Sequence, residues 1–97
     1  MTAYMIAQVD VNDPEKFEAY RALVPGTLEK YGGRYIVRGG ETAVLEGEMP
    51  FPRIVVIEFP DLDAIRRWHA SEEYAGPLAM RQASADSVLI GVEGYDA

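Results

Sequence analysis

The sequence predicts an α+β fold in the order βαββαβ, an antiparallel four-stranded sheet with both helices on one face. Three observations predict it. Short β-branched and apolar runs bounded by turn residues alternate with two segments whose apolar residues recur at helical spacing. An aspartate stands where each of those helices should begin. The 97 residues contain no internal repeat and no low-complexity stretch, so residues 1–97 form a single domain.

The first strand is Ala3 to Val9, a short apolar run that ends before the turn formers Asn12, Asp13 and Pro14. Asp13 then occupies the N-cap position of a helix, and Pro14 fits its first turn because its fixed φ is helical and no amide is wasted there. Phe17, Tyr20, Val24, Leu28 and Tyr31 recur at three- and four-residue steps and form the buried stripe. Pro25 removes the amide that would bond to the carbonyl of Arg21, so a kink or split is expected between Val24 and Gly26. Gly32 supplies a left-handed cap.

Arg34 to Arg38 is the second strand, followed by a Gly39-Gly40 turn and a short return strand at Thr42 to Leu45. Arg53 to Phe59 is β-branched, nearly continuous and closed by Pro60, which marks a central strand. Asp61 or Asp63 caps a second helix with Leu62, Ile65 and Trp68 on its inner face. Ser71 or Gly76-Pro77 restarts short helical pieces through Ala85, and Ser87 to Glu93 is the last strand. This order and length give the ferredoxin-like arrangement.

Composition narrows the function. Sixteen acidic residues against nine basic give a net charge of −7, and the seven arginines and two lysines never form a run, which argues against nucleic acid. Without cysteine there is no disulfide framework and no thiolate nucleophile or ligand. No apolar stretch approaches the ~20 residues of a membrane span, and Met1 to Val11 lacks a basic start, so a cytoplasmic location with no membrane partner is expected. A chain of this size buries only a little over ~60% of its unfolded surface. The strand at Arg53 to Phe59 is apolar on both sides, with Ile54 and Val56 opposing Val55, Ile57 and Phe59. A bare sheet face would not be, so two copies are expected to pack sheet to sheet as a homodimer.

Tyr31-Gly32-Gly33-Arg34-Tyr35-Ile36-Val37-Arg38-Gly39-Gly40, Leu45-Glu46-Gly47, Val55-Val56-Ile57-Glu58-Phe59-Pro60, Trp68 and the Ser71 to Tyr74 segment resemble the domain-of-unknown-function family numbered thirteen-thirty. The similarity covers nearly the whole chain. It implies membership of the dimeric α/β-barrel superfamily, which includes cofactor-free monooxygenases, stress-response proteins and haem-handling enzymes. Ser71 is followed by Glu72 where the family form leads us to expect a proline, a departure that touches one local turn.

Candidate site residues are few. His69, the one histidine, stands beside Trp68 with Glu72 and Glu73 three and four residues on, and could serve as an acid/base near neutral pH. As a metal site that set is ligand-poor, and a histidine near a helix C-terminus also suits the dipole, so no metal and no cofactor are expected. Arg34 and Arg38 are read on one strand face with Ile36, and Glu58 on a face with Ile54 and Val56. Arg38 is then a candidate to hold a carboxylate or enolate with Glu58 as base, the plainer reading being a structural arginine–glutamate pair; Tyr4 and Gln8 would join that polar set. Tyr20, Tyr31, Tyr35 and Trp68 line a ligand pocket or are simply core.

The main expectation is a small dimeric protein that binds a small organic ligand between helices and sheet, with Arg38, Trp68, His69 and Tyr31 as binding residues. The pocket is expected between the second helix and the sheet near Trp68 and His69, with Ser71 to Pro77 as a lid. The alternatives are a cofactor-independent monooxygenase or isomerase acting on a small carbonyl or aromatic compound, with His69 and Glu58 as catalytic candidates, and a structural assembly module.

Overall fold

A computed structural model describes residues 1–95; Asp96 and Ala97, the end of the expected domain, lie outside the described residues. The elements are β1 (Ala3–Val11), α1 (Pro14–Leu28) with a 3₁₀ turn (Glu29–Tyr31), β2 (Arg34–Arg38), β3 (Arg53–Phe59), α2 (Leu62–His69), α3 (Glu72–Ser84) and β4 (Ala85–Glu93). The sheet order is β2-β3-β1-β4 with every neighbouring pair antiparallel. This is the expected ferredoxin-like α+β arrangement, with one helix more than expected. The molecule measures 35 × 33 × 17 Å, and its short dimension has room for one sheet and one helical layer.

The caps follow the sequence. The Asp13 side chain accepts from the amide of Lys16 at 3.1 Å, and Pro14 opens α1. Of the two candidates, Asp61 caps α2, accepting from Ala64 N at 2.7 Å, while Asp63 pairs outward with Arg67 at 2.9 Å. Gly32 ends the 3₁₀ turn with φ 71°, a left-handed conformation in which a side chain would be strained.

Both internal prolines lie inside unbroken helices. Of the kink or split expected at Pro25 the split is absent, since α1 runs as one helix, and α3 runs as one 13-residue helix through Pro77 where short pieces were expected. Ser71 accepts the Tyr74 amide at 3.2 Å and caps α3 ahead of its proline. Tyr74 is fully buried, so Ser71 to Pro77 is a packed first turn and a half rather than a lid. The return strand expected at Thr42 to Leu45 is also absent: residues 39–52 run as a loop with Leu45 90% exposed. Pro50 and Pro52 withdraw two amides from any ladder there.

Period-two alternation sorts the sheet into two faces. Ala3, Met5, Ala7, Val9, Ile57 and Phe59 are buried beneath the helices with Phe17, Val24, Leu28, Ile65 and Trp68. Val37, Val88, Ile90 and Val92 point to the other side and stay exposed, although they are apolar. A bulge between Tyr35 and Val37 shifts the register of β2 by one residue. Arg34 therefore lies opposite Glu58 on the open face and Arg38 opposite Val55 on the helix side, which corrects the expectation that the two arginines share a face.

Candidate functional site

The helical layer leaves a gap over the sheet between α1, α3 and β2. Phe17 and Tyr20 roof it, Met5, Ala7, Val9, Ile57 and Leu89 floor it, and the partly open void measures about 30 Å³. Tyr35 and four of the seven arginines, Arg21, Arg38, Arg53 and Arg81, also line it, and no carboxylate does. In a chain of net charge −7 this is a local inversion of sign.

The arginines are held differently. Arg38 lies over the Tyr35 ring at 4.6 Å and Arg53 over the Phe17 ring at 5.2 Å, both reaching solvent. Arg81 is only 6% exposed. Its Nε donates to the Tyr74 hydroxyl at 3.4 Å and its Nη1 to Ser87 Oγ. Among the described residues no aspartate or glutamate forms an ion pair with it. Tyr74 OH meets Tyr20 OH at 2.9 Å, which links the guanidinium to the roof of the void. Burial, and next the neighbouring Tyr74, push the Tyr20 phenol far above the ordinary tyrosine range. Burial also raises Tyr35, against the opposing pull of Arg38. Both rings are neutral hydroxyl donors at physiological pH.

The residues singled out from the sequence do not gather in one place. Arg38 lines the void, while Trp68 and His69 border a separate open cleft of about 280 Å³ between α2 and β4. Trp68 is fully buried, its Nε1 donating to Thr27 Oγ1 at 3.0 Å, whereas His69 is exposed. Tyr31 donates to Glu73 at 3.1 Å on the surface, beside the Lys30 to Glu73 pair at 3.2 Å. The backbone amide of Glu73 itself, and next the Lys30 and Tyr31 contacts, hold the Glu73 carboxyl below its usual range. Glu58 pairs with Arg34 at 3.3 Å on the open face, where Tyr4 is its cross-strand neighbour. The arginine–glutamate pair thus exists, but its arginine is Arg34 and not Arg38. Among the described residues no group of three or more histidine, aspartate or glutamate side chains is placed to hold a metal ion.

Arg81, Tyr74 and Ser87 are the functional candidates that sequence reasoning did not reach. Their signal was there: Tyr74, Pro77, Arg81 and Ser84 step by three and four along one face, so a continuous helix puts an arginine on its buried stripe.

A family model described as Domain of unknown function (DUF1330) matches residues 2–95. No curated protein matches the sequence. Among solved structures, a protein of unknown function from Rhodopseudomonas palustris superposes with a TM-score of 0.81 at 20% identity, covering 99% of this chain and 84% of that one. A dimeric ferredoxin-like protein of unknown function from Jannaschia sp. CCS1 gives 0.73 at 12%, covering 97% and 100%. SnoaB, a cofactor-independent oxygenase from Streptomyces nogalater, gives 0.67 at 17%, covering 99% and 95%. At these identities the likeness establishes the ferredoxin-like fold. No helix among the described residues is long and apolar enough to cross a membrane.

Proposed function

The chain belongs to the family described as Domain of unknown function (DUF1330), and we propose that it binds a small organic ligand in the void between α1, α3 and the sheet. The observation that carries this reading is the lining: an apolar floor with a few convergent polar groups, Tyr20, Tyr35 and Arg38 among them, the usual make-up of a small-molecule site. At about 30 Å³ the void is well below the ~300 Å³ of a usual small-molecule pocket. Admission of a ligand therefore requires Arg38 and Arg53, the solvent-reaching side chains, to swing off their aromatic rings.

A thermal-shift screen of small aromatic and carbonyl compounds tests the reading. Ala7→Leu fills the floor, and should abolish the ligand-induced rise in melting temperature while the circular dichroism spectrum is kept. Hits that bind Ala7→Leu as well as the parent would move the site elsewhere, first to the cleft at Trp68 and His69. His69→Ala reports on that second location. The same proposal includes a homodimer formed through the apolar open face and a cytoplasmic location, the first supported by Val88, Ile90 and Val92 standing uncovered.

A second reading, a cofactor-independent enzyme acting on a carbonyl compound, is favoured by one feature. The neutral Tyr20 phenol is one hydroxyl away from the buried Arg81 cation, and the two would stabilise a developing enolate oxygen while the α-proton passes to water, since no carboxylate or histidine lines the void. Incorporation of solvent deuterium next to the carbonyl of a bound ketone would support turnover, and its absence with every bound ketone would leave binding alone.

A further inference from the structure

We propose that the ligand of this void is a small monocarboxylate with an apolar body, its acid group inward against Arg81 and its body over the sheet floor. This rests on the ligand-binding reading above and narrows it. The carrying observation is Arg81, a residue only 6% exposed, whose guanidinium is bonded only to neutral hydroxyls of Tyr74 and Ser87 and which lines a void with no carboxylate in its lining. A buried cation without a counter-charge is costly, so the anion that supplies one gains more there than at any solvated arginine.

The inward orientation follows from the other three arginines. Arg21, Arg38 and Arg53 reach solvent, and Arg38 and Arg53 are stacked on rings, so an anion at the rim gains little from water-screened charges. They still draw an anion toward the opening. Arg81 has Nε and Nη1 engaged, which leaves Nη2 without a protein hydrogen bond among the described residues, and Tyr20 is a second, neutral donor when Tyr74 donates the hydrogen bond between the two hydroxyls. One planar guanidinium edge with one hydroxyl suits the two oxygens of a carboxylate. A phosphoryl group would need more donors than the apolar floor of Ala7, Val9, Ile57 and Leu89 supplies.

Titration calorimetry with matched pairs decides it: benzoate against benzamide and phenylacetate against phenylacetamide, on the parent, Arg81→Met and Arg81→Lys. The expected result is an acid bound at least tenfold more tightly than its amide by the parent. Arg81→Met should lose that preference while keeping its affinity for the amide, and Arg81→Lys should fall between. Equal affinity of acid and amide, with both lost in Ala7→Leu, would overturn the carboxylate proposal and leave the ligand pocket standing. An acid preference that survives in Arg81→Met would also overturn it, since the rim arginines would then hold the charge. Binding of neither acid nor amide would overturn this proposal, and the absence of any hit in the thermal-shift screen would remove the pocket reading with it. Should Arg81→Met fail to fold, the acid-to-amide ratio in the parent and in Arg81→Lys carries the test.

Discussion

Arg38 Nη2 donates to the main-chain carbonyl of Arg21 at 3.0 Å, and Arg21 is the residue whose carbonyl Pro25 leaves without its helical amide. A strand side chain thus supplies the hydrogen bond that the helix lacks. This is why α1 passes through a proline unbroken, and it ties β2 to α1 at the rim of the void. Arg38 therefore has two roles that compete. It caps a stranded carbonyl, and under the proposed ligand binding it gives up that bond to open the rim.

The first prediction is a coupling between Arg38 and Pro25. Arg38→Met should cost roughly 0.5–1.5 kcal/mol by urea unfolding, the range of a hydrogen bond lost at a partly solvated site. In a Pro25→Ala background the helix restores its own amide, so the same change should cost less by at least about 0.5 kcal/mol. The stacking of Arg38 on Tyr35 is lost in both backgrounds and cancels from the cycle. Additive effects would mean the Arg38 bond is unrelated to the proline.

Thr27 is the second test, because it links α1 to the most buried side chain of α2. Its hydroxyl donates to Val24 O at 2.7 Å and accepts from Trp68 Nε1 at 3.0 Å. Thr27→Val keeps the shape and strands the indole N–H in the core, which should cost about 1–3 kcal/mol. Thr27→Ser keeps the acceptor and should recover most of that loss. If valine and serine prove equally costly, packing of the Thr27 methyl rather than the hydrogen bond holds the contact.

How much of this was legible in the sequence depended on the scale of the signal. Caps at Asp13 and Asp61, the strand at Arg53 to Phe59 and the stripe of α1 are local patterns, and all were readable. The bulge at β2 is a slip of one residue, invisible in Arg-Tyr-Ile-Val-Arg, yet it sends Arg34 and Arg38 to opposite faces. The prolines misled in a consistent way: each breaks a helix on local grounds, yet both helices continue, and at Pro25 a side chain from another element supplies the missing bond. Reading Pro77 as a break hid the stripe that carries Arg81, and with it the deep end of the candidate site.

Alkaline titration gives a third prediction. Tyr20 and Tyr35 have their pKa values raised by burial, whereas unfolded tyrosines ionise near ~10. Below that pH both states keep the proton and the contribution to stability is fully present. Above it the unfolded chain releases protons that the folded chain retains, so stability falls as pH rises, by up to about 1.4 kcal/mol per pH unit for a fully silent phenol such as Tyr20. The tyrosinate absorbance should reach its full amplitude only on unfolding, and Tyr20→Phe should flatten the alkaline loss. Full amplitude in a chain that still shows native circular dichroism would contradict the assignment.

The fourth prediction concerns the open sheet face. Ile90 is 52% exposed in the isolated chain and sits opposite Ile6 of β1, with Val88 and Val92 on the same side of β4. Water contact over such a patch is unfavourable by roughly 25 cal/mol per Å² of apolar surface, so a second copy is the simplest cover. Light scattering should give twice the 10.8 kDa chain mass at micromolar concentration. Ile90→Glu places a charge where two sheets would meet, and a buried unpaired carboxylate there should drive the protein to monomer at the same concentration. Because Ile90 points away from the helices, the variant should keep a native fold at low concentration. Its melting temperature should match the parent diluted below its dimer dissociation constant. A parent that is already a stable monomer of 10.8 kDa, with a melting temperature independent of concentration, would refute the sheet-to-sheet dimer.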